Sequence, residues 1–132
     1  PKNTCFIGIS FHHLKRRDGD MVYASVAQAF SNEIEPFALK GSTIPRHQKR
    51  DRQPYLNATQ AADLIKEVVD KYEAISGLTP SRIVIHKTSL YQPEEEIGFR
   101  SIANSRVPSC ELVWIRPTAL LLVRKGMQEP WR

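Results

Sequence analysis

The sequence predicts an α/β domain: one mixed sheet with strand order 3-2-1-4-5, its third strand an antiparallel edge, and two main helices. Three observations predict it. Residues 5–10 (Cys5-Phe6-Ile7-Gly8-Ile9-Ser10) and residues 82–88 (Arg82-Ile83-Val84-Ile85-His86-Lys87-Thr88) are apolar runs of strand length, and each stops at a hydroxyl residue. Hairpin signals follow the first run, and a segment of helical period precedes the second. A strand–helix–strand order after a meander calls for a right-handed crossover that returns the chain beside an earlier strand. With the two runs paired in parallel, Ser10 and Thr88 stand side by side at the carboxyl edge of the sheet, where open α/β sheets hold their ligands.

Each element has its own warrant. Residues 5–10 lack polar alternation, as expected of a central strand covered on both faces. Gly8 inside it marks a close backbone approach or a bulge. Asp18-Gly19 is a hairpin signal, and residues 21–30 form the second strand. A second hairpin through Ser31-Asn32 leads into the third strand, residues 34–39. Pro36 has no N–H for a ladder, so this strand belongs at the sheet edge. Residues 41–54 are loop by composition. From Asn57 the period changes: Ala61, Leu64, Ile65, Val68, Tyr72 and Ile75 recur at helical spacing. Asn57 with Gln60 three residues on makes a capping box, Gly77 is the stop, and Pro80 prevents continuation. Residues 82–88 are the fourth strand. Pro93 suits a first helical position, and Glu94, Glu95 and Glu96 suit the positive end of the dipole of a helix running to about Asn104. Residues 110–115 are the fifth strand, broken by Pro117, and residues 119–123 form one more before Gly126.

Composition bounds the function. The 132 residues suit a single domain, and 41% apolar content supports one core. No apolar run approaches the ~18 residues of a membrane span. A start at Pro1, with a strand almost at once, reads as an excised domain or a processed chain. Cys5 and Cys110 lie in apolar runs with no CxxC or CxxH spacing, as buried cysteines of a reducing cytoplasm do. The net charge is +5 and the isoelectric point about 9.4, which favours a polyanionic partner. The positive charge is uneven. Lys40, Arg46, Lys49, Arg50 and Arg52, with His47, stand against Asp51 alone. Phosphate contact or simple solvation both account for such a cluster.

Other chemistries find little support. A nucleophilic Ser10 needs a base such as His12 or His86 in reach, and the sequence lacks a Gly-x-Ser-x-Gly elbow. Small polar caps at strand ends are the simpler account of Ser10 and Thr88. His12 and His13 point to opposite faces of a strand and do not chelate together. His86, next to Lys87, reads as a packed or backbone-bonded histidine. No metal and no cofactor is expected.

The stretches at 5–10, at 80–87 (Pro80-Ser81-Arg82-Ile83-Val84-Ile85-His86-Lys87) and at 111–116 (Glu111-Leu112-Val113-Trp114-Ile115-Arg116) resemble, in order and spacing, the PIWI domain of bacterial Argonautes. The likeness covers nearly the whole chain and implies an RNase H-like fold, in which the order β-β-β-α-β-α-β is usual. In cleaving members of that family, carboxylates at the ends of the first and fourth strands hold divalent metals for phosphodiester cleavage. The matching positions here are Ser10 and Thr88. A neutral hydroxyl does not replace carboxylate charge at a hard cation. The family's glutamate on a loop before the first long helix has no counterpart in Asp51-Arg52-Gln53-Pro54-Tyr55, where Asp51 is a weak stand-in. The fourth family position, and part of the pocket for the guide's 5′ end, lie beyond the strands that match.

The resemblance therefore implies an inactive PIWI-type domain that binds guide and target, RNA or DNA, through the backbone, and that works with an associated effector. Lys87 and Arg116, expected at carboxyl ends of parallel strands, would form a basic rim for a phosphate beside the loop cations. Two alternatives remain: an RNase H-like nuclease with atypical ligands such as Asp18, Asp20 and Asp51, and a protein-interaction module whose basic loop meets an acidic partner.

Overall fold

A computed structural model of the chain describes residues 3–15, 17, 19 and 21–115. Arg116, Asp18, Asp20 and the strand expected at 119–123 lie outside the described residues. β1 (Thr4–Lys15) is the organising strand and runs well beyond the apolar stretch that marks it. β2 (Met21–Phe30) pairs antiparallel along it, from Phe6↔Phe30 to Lys15↔Met21. On the other side β6 (Arg82–Lys87) pairs in parallel, from Thr4↔Arg82 to Ile9↔Lys87 only. The second half of β1 therefore projects past the end of β6 as a hairpin arm.

β3 (Phe37–Ile44) pairs antiparallel with β2, with a register shift between Ala24 and Val26. β4 (Lys49–Arg50) and β5 (Gln53–Pro54) form a separate two-stranded sheet. After α1 (Ala58–Ser76), β6 and α2 (Pro93–Arg106), β7 (Ser109–Trp114) pairs in parallel with β6. The five-stranded sheet has the order β3-β2-β1-β6-β7. This is the expected order once the small hairpin is set aside. The segment read as loop is more structured than its composition suggests: the third strand, expected at 34–39, runs instead over Phe37–Ile44, so Pro36 precedes it and Lys40 stands on the edge strand and not on the loop.

α1 begins as its sequence specifies. Asn57 Oδ1 accepts the Gln60 N–H at 2.8 Å, and Gln60 Oε1 accepts the Asn57 N–H at 2.9 Å. It ends at Gly77, whose φ of 74° is the left-handed conformation that favours glycine. Ala61, Leu64, Ile65, Val68, Val69 and Tyr72 are buried. Ile75, expected on that stripe, is exposed because it falls in the last turn, beyond the reach of the sheet. Gly98 sets the approach of the helices: a Cβ there would lie 2.7 Å from Ala61 Cβ. Pro93 opens α2 as expected, and the helix extends to Arg106.

Both helices pack on one face of the sheet, over Cys5, Ile7, Ile9, Ile83 and Ile85. Among the described residues the opposite face is open, contrary to the expectation of two covered faces. There Phe6 and Phe30 stack with centroids 5.3 Å apart and are 37% and 42% exposed. The lack of polar alternation in residues 5–10 reflects this apolar outer face as much as burial. No described helix is long and apolar enough to cross a membrane.

Candidate functional site

The parallel ladder of β1 and β6 ends at Ile9↔Lys87, so Ser10 and Thr88 are the next residues on the two chains. Both are exposed and both line a cavity of about 300 Å³, with Phe11, His13, Tyr23 and Arg52 around them. A second cavity of about 270 Å³ is lined by Arg50, Asp51, Leu90, Gln92 and Trp114. The two share Gln53, Pro54, Thr88 and Ser89 and so form one groove across the carboxyl edge of the sheet. The sequence places Ser10 and Thr88 together, and the fold does the same.

The β4–β5 hairpin walls this groove. Its turn is Asp51-Arg52, with φ of 50° and 65°. A two-residue hairpin favours positive φ at both central positions, which costs a residue other than Gly, Asn or Asp roughly 1–2 kcal/mol. Arg52 bears that cost and lines the Ser10 side of the groove. Gln48 ties the hairpin to the start of α1, its Nε2 donating to the Tyr55 carbonyl at 2.6 Å and to Gln60 Oε1 at 2.8 Å. Arg50 makes a two-pronged pair with Glu94, at 2.6 and 2.5 Å, and lies over the Tyr55 ring at 4.4 Å. The hydrogen bond from Arg50 holds the Glu94 carboxyl below its ordinary pKa. Arg50 is thus chiefly an anchor between hairpin and α2.

Lys87 requires a correction. It follows Ile83 and Ile85 on the helix-facing side of β6, and that parity turns its side chain into the protein. It is buried, and its ammonium donates to Glu95 Oε1 at 2.7 Å, Ser89 Oγ at 3.0 Å and the Leu90 carbonyl at 2.9 Å. With its three N–H donors occupied, it is no rim cation. Burial lowers its pKa, and the Glu95 charge opposes that shift. Glu95, expected to serve the helix dipole, is also buried. It further accepts the Gln92 N–H at 2.9 Å and the Leu56 N–H at 3.0 Å, joining the end of β6, the start of α2 and the approach to α1.

The remaining residues sort by position. Arg46 and Lys49 are exposed, and Lys49 lies 5.1 Å from the Tyr23 ring centroid. His13 lines the groove against Tyr23, at 4.4 Å between centroids, whereas His12 does not. His86 is half-buried across Gly8, where a Cβ would meet its ring nitrogen at 2.8 Å, and burial lowers its pKa. Trp114, which the sequence marks only as part of the stretch 111–116 and not as a site residue, is 41% exposed and lines the groove. Its indole N–H donates to the Thr88 carbonyl at 3.1 Å. Its position opposite Lys87, at the carboxyl end of a parallel strand, was the available signal.

Among the described residues the groove does not offer a set of carboxylates that would hold a pair of divalent metals, and Asp18 and Asp20 lie outside those residues. Ser10 and Thr88 are neutral, and the acid lining the groove, Asp51, stands on the hairpin turn. Among the described residues no group of three or more His, Cys, Asp or Glu is placed to hold a metal ion.

No family model matches the sequence, and no curated protein does. Among solved structures the chain is similar to the Argonaute of Marinitoga piezophila, whose structure is in complex with a 5′-hydroxyl guide RNA. The likeness has a TM-score of 0.51 at 17% identity and covers 78% of this chain. It spans 15% of the Argonaute chain. At that identity the likeness speaks for the fold alone, and the fold is the RNase H-like α/β arrangement found within an Argonaute.

Proposed function

We propose that this chain is the nucleic-acid-binding PIWI-type part of an Argonaute-like protein, binding guide and target without cleaving them. The observation that carries this reading is the pair Ser10 and Thr88, adjacent on the floor of a groove at the carboxyl edge of the sheet. Hydroxyls at these positions can donate to a phosphate oxygen, but they do not supply the charge that holds catalytic metals. Arg46, Lys49 and Arg52 lie on or beside the hairpin that walls the same groove. Contacts of this kind track the backbone, and sequence comes from base pairing with the guide. An effector would then carry out any cleavage.

The test is incubation of the protein with guide, matched target and magnesium or manganese, followed by resolution of the strands by length. We expect retention of the duplex with no product. Target cut opposite the guide, and lost on mutation within this domain, would overturn the reading.

A further inference from the structure

The two halves of the groove differ in chemistry. The Ser10 half holds Arg52 and the hydroxyl residues Ser10, Thr88 and Ser89, and among the described residues no carboxylate lines it. The other half holds Asp51, and Arg50 already paired with Glu94, together with Leu90 and the exposed indole of Trp114. We propose that the groove takes one unstacked nucleotide of a single strand, its phosphate in the Ser10 half against Arg52 and its base against Trp114.

Arg52 is suited to the phosphate. Arg50 and Lys87 are tied to Glu94 and Glu95, whereas Arg52 makes no ion pair among the described residues. Its φ of 65° is a conformation arginine rarely adopts, and the two-residue turn enforces it. Strain at a position that also lines a cavity is what a ligand-contacting residue can show. Trp114 is suited to the base. Its ring is oriented by the bond to the Thr88 carbonyl, and Thr88 lines both halves. Aromatic faces accept any base by stacking. A base within a duplex cannot reach such a face, so the site discriminates for single strands.

This inference rests on the nucleic-acid reading and is tested so that the two can fail separately. Fluorescence anisotropy is measured for the full chain with a 5′-fluorescein ten-nucleotide DNA, the same sequence as RNA, and the blunt duplex, at several salt concentrations. The single strands should bind more tightly than the duplex. Arg52→Gly should weaken binding several-fold and flatten the slope of log affinity against log salt by about 0.7, one phosphate contact. Its thermal midpoint should rise, since glycine adopts positive φ without strain. Trp114→Leu should weaken binding about tenfold with the slope unchanged, and Trp114→Phe should keep most of the affinity. Stacking should also quench indole emission when oligonucleotide is added, a signal lost in Trp114→Phe, which retains only Trp131. That readout stands even where Trp114→Leu folds poorly. Wild-type binding that ignores both variants, or a duplex bound as tightly as a single strand, would overturn this placement alone. No binding of any probe would overturn the nucleic-acid reading with it.

Discussion

The Lys87 ammonium lies 2.7 Å from the Glu95 carboxylate, and both side chains are removed from solvent. The pair fastens the end of β6 to the first turn of α2, directly beneath the loop that carries Thr88 and Ser89. A charge left alone in that position keeps its neutral hydrogen-bond partners but has no counter-ion, and breaking a buried pair costs about 3–5 kcal/mol. Lys87→Met or Glu95→Leu should each lower the denaturant midpoint by that order. The double variant should lose much less than the sum, because no orphan charge remains. Equal and additive losses would mean the pair is not coupled.

Ile7 and Ile85 face each other across the central parallel ladder and are fully buried. Either one changed to Ala removes methyl groups from a region that cannot collapse, because strands continue on both sides. The expected cost is about 2–5 kcal/mol in urea melts. A smaller change would indicate that the sheet repacks around the cavity.

Among the described residues Arg46, Lys49 and Arg52 make no ion pair and can meet phosphate from the hairpin region, whereas Arg50 holds Glu94. Reversal of the first three to Glu should weaken nucleic-acid binding for all sequences alike and flatten its salt dependence. Arg50→Glu should instead loosen the hairpin, seen as faster amide exchange at Tyr55 and Leu56. Unchanged affinity in the triple reversal would make these side chains solvent dressing.

The Arg50–Glu94 pair also gives a pH signature. Glu94 has its folded-state pKa lowered from 4.5 by the hydrogen bond from Arg50. The pair's contribution is therefore fully present above pH 4.5 and is lost as pH falls through the lower folded value. The stability gap between wild type and Glu94→Gln should be constant near neutrality and close in acid. A gap that persists at low pH would assign the effect to packing. Both groups are solvent-exposed, so the gap should be small and reduced by salt.

Local patterns carried much of the architecture. The capping box at Asn57 and Gln60, the stop at Gly77 and the entry at Pro93 depend on a few neighbouring residues, and each stands where the sequence places it. The strand order followed from two apolar runs joined by a helix, which leaves few permitted crossovers. The adjacency of Ser10 and Thr88 followed from the same pairing, because register decides which strand ends are neighbours.

Three-dimensional packing decided the rest. Lys87 read as a rim charge in sequence, because composition does not say which side of a strand end a helix will cover. Parity with Ile83 and Ile85 turned Lys87 inward, and only the docking of α2 brought Glu95 to meet it. The loop of residues 41–54 divided into an edge strand and a strained hairpin because β2 and the start of α1 supplied hydrogen-bond partners from distant parts of the chain. That hairpin set Arg50 on Glu94 and Arg52 in the groove, although nothing in their spacing distinguishes them. The sequence by itself determined the two helices, the order of the five strands of the main sheet and the two hydroxyls at its edge. Tertiary structure decided which charges are spent inside the protein and which face a ligand, because burial and pairing are properties of neighbours brought together by folding.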